Sequence, residues 1–255
     1  MAVNIQEILG EELLDHRYTS LFSVGPIHLA FTKVLGSLWL AGAVIVAAMA
    51  AAVRGRSRPA RLARAGIESV VSYVRGEIEP FFGESSGRYL PYFLTLFFFI
   101  LTCNLSGLVP YGTTATANIS VTAALAACTF FLIWATGIRE QGLLSYLAHL
   151  VPSGVPKILV PFFFVLEIFG IFVKCFALCM RLFANMIAGH MVALVFLCLL
   201  FVLAGTVAHP LLELAPVVVG ATVFIKILDV FVGVLQAYIF TLLTAIFSGM
   251  AAHPH

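Results

Sequence analysis

The chain has 255 residues, of which 62% are hydrophobic and 10% charged, and its mean hydropathy is +1.08. A soluble domain of this size carries about 25% charged residues. The 14 basic and 12 acidic side chains present cannot coat a water-soluble body, which excludes a cytosolic enzyme, a nucleic-acid binder and a disordered chain. A net charge of +2 points to no polyanionic partner.

Residues 1–28 hold Glu7, Glu11, Glu12 and Asp15 against one arginine, Arg17. They read as an N-terminal segment outside the membrane, with residues 29–255 as the membrane domain. No basic start followed by an apolar core is visible, so no cleavable signal peptide is expected. A helical crossing takes about 20 apolar residues, and the uncharged run Val34–Val53 predicts a first helix over about 29–53. The following RGRSRPARLAR (54–64) holds five arginines and no acid. Ile67, Val70, Val71, Val74, Ile78 and Phe81 then recur at helical spacing, with Glu68, Arg75 and Glu77 between them. That pattern predicts an amphipathic helix over about 60–82 lying along the interface.

From Tyr89 to Ile138 there is no charge at all, too long a stretch for one span. It breaks at the turn-rich TCNLSGLVPYGTTATANIS (102–120), predicting helices over about 90–109 and 119–137. Two longer apolar regions, about 156–203 and 211–252, are parted by a turn at His209-Pro210; helices of that length must tilt, bend or lie partly flat. The expected fold class is therefore all-α: a polytopic membrane protein of about five transmembrane helices, the last two long and tilted, plus one interfacial helix. The positive-inside rule puts the arginine cluster in the cytoplasm and the N-terminus outside. Five crossings return the C-terminus to the inside, with Arg139 and Lys157 inside and the loop near Glu213 outside. Cys103, Cys128, Cys175, Cys179 and Cys198 all lie in apolar stretches and read as buried small hydrophobes. A metal site on Cys175 and Cys179, spaced i, i+4, is the weaker alternative.

The charges inside the last two regions are the expensive ones. An Arg, Lys or Asp at a span's centre costs roughly 2.5–3.5 kcal/mol on insertion scales, yet Glu167, Lys174, Arg181, His190, Lys226 and Asp229 all occur there. Lys174 and Lys226 have snorkelling at helix ends as their bland reading. Glu167, Lys174 and Arg181 are seven apart and share one stripe of a continuous helix. Around Arg181 the stripe carries Ala177, Ala184 and Ala188, small side chains that let another helix approach closely. The guanidinium stays charged and attracts a carboxylate rather than passing a proton on. His190 falls half a turn around from Arg181, and Asp229 shares a face with Gln236. A titratable histidine and a carboxylate at membrane depth are the parts of a proton relay.

Three runs, RLFANMIAGH (181–190), LQAYIFTLL (235–243) and PYFLTLFFFILTCNLSGLVP (91–110), resemble subunit a of F-type ATP synthases. The resemblance extends from the Arg54 region to the C-terminus. It implies a stator channel pressed against a rotating ring of c subunits. The implied partners are that c-ring, the peripheral-stalk b subunits, the remaining subunits of the complex, membrane lipid and protons, with no nucleic acid and no cofactor or metal. Arg181 corresponds to the family's essential arginine facing the ring carboxylate, and Asn185 and Gln236 to its polar neighbours. His190 and Asp229 correspond to the polar pair of the outer half-channel. The common bacterial pattern has Glu first and His second; this chain carries them exchanged. Glu167 matches an acid near the inner half-channel and Lys174 a basic residue one heptad before the arginine. Asn118 and Ser120 fall where polar residues occur in the outer part of the third helix.

Two other classes compete. A secondary transporter would use the same charges for a substrate-coupled relay, but no paired repeat is visible and residues 162–208 contain no proline. A membrane scaffold would pair the charges internally, Glu167 with Lys174 and Lys226 with Asp229. No P-loop and no H-E-x-x-H spacing appears, so the chain itself reads as non-catalytic. His253 and His255 read as an inert tail. Bacterial inner membrane is the expected location, with the mitochondrial inner membrane as the alternative; Na⁺ in place of the proton is open as coupling ion, a choice made mainly by ligands on the ring subunit, and ring size is unreadable.

Overall fold

A computed structural model describes residues 17–24, 27–55, 58–107, 114–150, 156, 158–205 and 215–252. The acidic residues Glu7 to Asp15, Lys157, the turn at His209-Pro210, Glu213 and the tail histidines lie outside the described residues.

The first elements correct the expected start of the first helix. Strand β1 (Arg17–Val24) pairs antiparallel with β2 (Ile27–Thr32), in a register running from Arg17 opposite Thr32 to Val24 opposite Ile27. Residues 29–32 therefore belong to a strand, and helix α1 begins at Lys33 (Lys33–Arg54). The cause is local. RYTSLFSV and IHLAFT are rich in aromatic and β-branched residues and have each other as partners, whereas the Ala- and Leu-rich run after Lys33 has no pairing partner and favours helix.

Helix α2 (Arg58–Phe82) is the expected amphipathic one. Its polar face carries exposed Arg58, Arg61 and Arg64, with Arg64 Nε donating to Glu68 Oε1 at 2.8 Å. Its apolar face is taken by protein: Val74, Ile78 and Phe82 are buried with Tyr89, Phe93 and Ala245, and the Phe82 ring lies 4.7 Å from that of Tyr89. A short 3-10 turn (Gly83–Ser85) leads into α3 (Ser86–Ser106), and a second (Ala115–Ala117) precedes α4 (Ile119–Gln141). Helix α4 runs past its expected end near 137 until Gly142, whose φ of +82° ends the helix with its N–H still bonded to Ile138 O. The short α5 (Leu143–His149) follows, too brief for a periodicity to mark it.

Two long helices complete the chain, α6 (Val160–Gly205, 46 residues) and α7 (Ala215–Ala252, 38 residues). At 1.5 Å per residue they are about 69 and about 57 Å long, about twice the hydrocarbon core of about 30 Å. Among the described residues five helices are long and apolar enough to cross a membrane: those containing Val34–Ala52, Ser86–Ser106, Ile119–Gln141, Val160–Phe196 and Pro216–Ala252.

Helix α7 is the hub, packing against α2, α3, α4 and α6. Asn185 meets Gln236 and Lys174 meets Phe247, so α6 and α7 run antiparallel. Leu96, Phe97 and Ile100 of α3 close on Leu178 and Leu182 of α6 and Ala237 and Phe240 of α7. Lipid is as apolar as these side chains, so burial alone does not hold the helices together. Close packing over small residues and interhelical hydrogen bonds do. Thr122, Thr129 and Thr136 form a fully buried heptad row on α4, and Thr129 Oγ1 lies 3.4 Å from Thr244 Oγ1 of α7. Cys103, Cys175 and Cys179 are buried as expected, and Cys179 Sγ donates to Thr122 Oγ1 at 3.5 Å. Cys128 is exposed, contrary to expectation, because it lies on the outward side of α4.

Candidate functional site: two polar clefts along the α6–α7 pair

The antiparallel pairing sets polar residues of α6 and α7 opposite one another at three levels. Cleft one, about 400 Å³, is lined by Asn185, Gly189 and His190 of α6, by Lys226 and Asp229 of α7, and by Asn104 of α3. The sequence-predicted pair His190 and Asp229 is thus brought to one cleft. The close approach depends on Gly189: a Cβ built there would lie 2.5 Å from Asp229 Oδ1. Lys226 Nζ lies 3.6 Å from Asp229 Oδ2, the i, i+3 pairing that the sequence allowed.

Asn104 escaped the sequence reading, although it lies in one of the three quoted runs. Its Nδ2 donates to Gly233 O at 3.0 Å, and its Oδ1 accepts from Thr116 Oγ1 at 2.7 Å. It ties α3, the 3-10 turn and α7 together beside the cleft. An amide in a charge-free span was the available signal, because a buried polar group without a partner costs several kcal/mol in a medium that offers none.

At the middle level Asn185 Nδ2 donates to Gln236 Oε1 at 2.7 Å. Gln236 is 2% exposed, and its Nε2 has no hydrogen-bond partner among the described residues. Arg181 is half-buried one turn before Asn185. It makes no hydrogen bond or ion pair to any described residue, and Ala177, Ala184, Asn185 and Ala188 around it are all exposed. The small-residue face expected around Arg181 is therefore open, with the cation set in it.

The second cleft, about 520 Å³, lies toward the other end of the pair, lined by Glu167 and Lys174 of α6, Phe247 and Ala251 of α7, Gln141 of α4 and Tyr146 of α5. Glu167 is exposed at its rim. Lys174 Nζ sits 5.5 Å from the centre of the Phe247 ring, a cation–π contact, and not in the pairing with Glu167 that a scaffold would use. Gln141 Nε2 donates to Ala251 O at 2.7 Å, pinning the end of α7 to α4. Burial pushes the Tyr146 phenol up, and the neighbouring Glu167 carboxylate pushes it further. Gln141 and Tyr146 were also missed; the residues following the third apolar run carried no periodic signal.

Asn118 and Ser120 line neither cleft. Asn118 is the N-cap of α4, its Oδ1 accepting from Ser120 N at 2.9 Å, which gives the side chain a structural task.

Compared with known proteins, residues 35–249 match the profile of the family described as ATP synthase A chain. The chain is 43% identical over 236 residues to the ATP synthase subunit a of Anaeromyxobacter dehalogenans strain 2CP-C, covering 91% of this chain and 60% of that protein. It is 41% identical over 238 residues to the subunit a of Chloroherpeton thalassium, covering 89% of this chain and 68% of the relative. With the subunit a of Myxococcus xanthus it shares 41% identity over 234 residues, 89% of this chain and 74% of the relative.

Proposed function

The chain belongs to the ATP synthase A chain family, and from that premise we propose that it is the proton-translocating stator subunit of an F-type ATP synthase, with the two clefts as offset half-channels. The observation that carries this is Arg181, a permanent cation with no hydrogen-bond or ion-pair partner among the described residues, set in an exposed face of small residues midway between the clefts. A scaffold satisfies such a charge internally; an open, cation-bearing face suits a partner on another chain.

The proposed partner is a ring of c subunits whose carboxylates pass Arg181 in turn. A proton from outside passes His190 and Asp229 in the first cleft and neutralises a ring carboxylate, which then turns into lipid. After a near-complete turn the carboxylate reaches the second cleft and gives its proton up beside Glu167 and Tyr146. Arg181 attracts each ionised carboxylate that arrives, and its fixed charge repels a proton taking the direct path between clefts. Asn185 shapes that contact from the exposed face, oriented by its hydrogen bond to the buried Gln236. The drive is about 2.3 kcal/mol per charge per 100 mV. The Arg181–carboxylate attraction must therefore favour ionisation and still release at every step. Nucleotide chemistry belongs to other subunits, and the proposed location is the bacterial inner membrane with the N-terminus outside.

The test is Arg181→Ala in the assembled complex. ATP synthesis and ATP-driven proton pumping in inverted vesicles are expected to vanish while the complex still assembles; robust coupled pumping by that variant overturns the assignment.

A further inference from the structure

The outer cleft holds a cation that the proposed mechanism does not use. Lys226 stands one turn before Asp229 on α7, with its ammonium 3.6 Å from Asp229 Oδ2. Snorkelling would carry the side chain along the helix toward the interface; here it turns instead toward the carboxylate and lines the cleft with it. We propose that Lys226 is a specificity-determining residue that closes the outer cleft to metal cations, so that protons alone use Asp229 from that side. The inference rests on the half-channel reading above.

The physical argument begins from concentration. At neutral pH a proton-conducting cleft faces Na⁺ or K⁺ at on the order of a millionfold excess over H⁺, given physiological ionic strength near ~0.15 M. A carboxylate beside oxygen donors is a hard-cation site. Asp229 has the Asn185 and Asn104 amides along the same cleft, so even a weak site would be filled by metal most of the time. An ammonium in contact with the carboxylate removes the net negative charge that would draw a metal ion in. A metal ion entering beside Asp229 must displace Lys226 or sit next to its charge. A proton needs no such room, since it binds one carboxylate oxygen while the ammonium remains in place. His190, which also lines the cleft, offers nitrogen, a poor ligand for alkali cations.

The experiment uses the whole ATP synthase in proteoliposomes, with synthesis driven by an imposed proton gradient. Each variant is measured in choline chloride and in NaCl at equal ionic strength, and the readout is the ratio of its two rates. The wild type is expected to give a ratio near one. Lys226→Gln is expected to be slowed about threefold by ~100 mM Na⁺, as occupancy of a site with a dissociation constant near ~50 mM requires. Lys226→Arg should restore a ratio near one, because it returns the cation. Adding Asp229→Glu to Lys226→Gln should keep the Na⁺ sensitivity, since a carboxylate remains. A merely structural lysine would change both rates together and leave the ratio untouched. A ratio near one for Lys226→Gln, with the wild type active, overturns this inference alone; a wild-type complex that synthesises no ATP overturns the half-channel reading instead.

Discussion

Among single residues, Gly189 bears most directly on the proposed path. The Asp229 carboxylate occupies the space its Cβ would need, so any larger residue must displace Asp229 Oδ1 from its present place. Gly189→Ala is expected to lower ATP-driven proton pumping roughly tenfold to a hundredfold, since a misplacement of about 1 Å can cost about a hundredfold. The complex should still be recovered with its other subunits. Pumping at the wild-type rate would show that the carboxylate needs no such seat. The sequence exposed His190, Asp229 and Arg181 readily, because ionisable groups in an apolar run stand out against their solvent. It did not expose Gly189 or Asn104, whose importance comes from what lies opposite them on another helix: Asp229 in one case, Gly233 and Thr116 in the other.

Helix α4 illustrates the same division one level up. Its existence and its start near residue 119 followed from the sequence, but its end did not, since Gly142 stops it through local backbone chemistry. The polar pair Asn118 and Ser120, which the resemblance offered as a possible accessory to the conduction path, forms a cap. Asn118→Ala should accordingly destabilise the first turn of α4 by about 1 kcal/mol, seen as faster amide hydrogen exchange there, with proton pumping retained. Asn118→Asp should keep both. Loss of pumping in Asn118→Asp would return the residue to the conduction path. The threonine row on α4 is a signal the pattern carried unread: Thr122, Thr129 and Thr136 at heptad spacing mark the face turned to α7 and α6. Strand β2 went unread for the opposite reason, as six residues of mixed polarity adjoining a long apolar run look like the start of that run's helix.

Taken whole, the molecule is an antiparallel helix pair carrying two clefts, braced by α2, α3 and α4. If His190 and Asp229 act as one relay, their order matters less than their presence together. The double change His190→Glu with Asp229→His is expected to retain more ATP synthesis than either single change. A double variant no better than the worse single one would show that the two do not function as a unit. The length of the pair has a geometric consequence for such a relay. A straight apolar segment of 37 residues, as in Val160–Phe196, is about 55 Å long and fits a core of about 30 Å only when inclined by about 57° to the membrane normal. Lys174 and His190, one in each cleft, are then separated by about 20 Å sideways and only about 13 Å in depth. Because a helix is about 10 Å across, a neighbouring cylinder of upright helices would have to advance by about two helix widths to carry a bound proton from one opening to the other. On the proposed half-channel reading, the displacement between the two openings would be mainly circumferential, and the inclination of two over-long helices would convert a pathway across the membrane into movement around it.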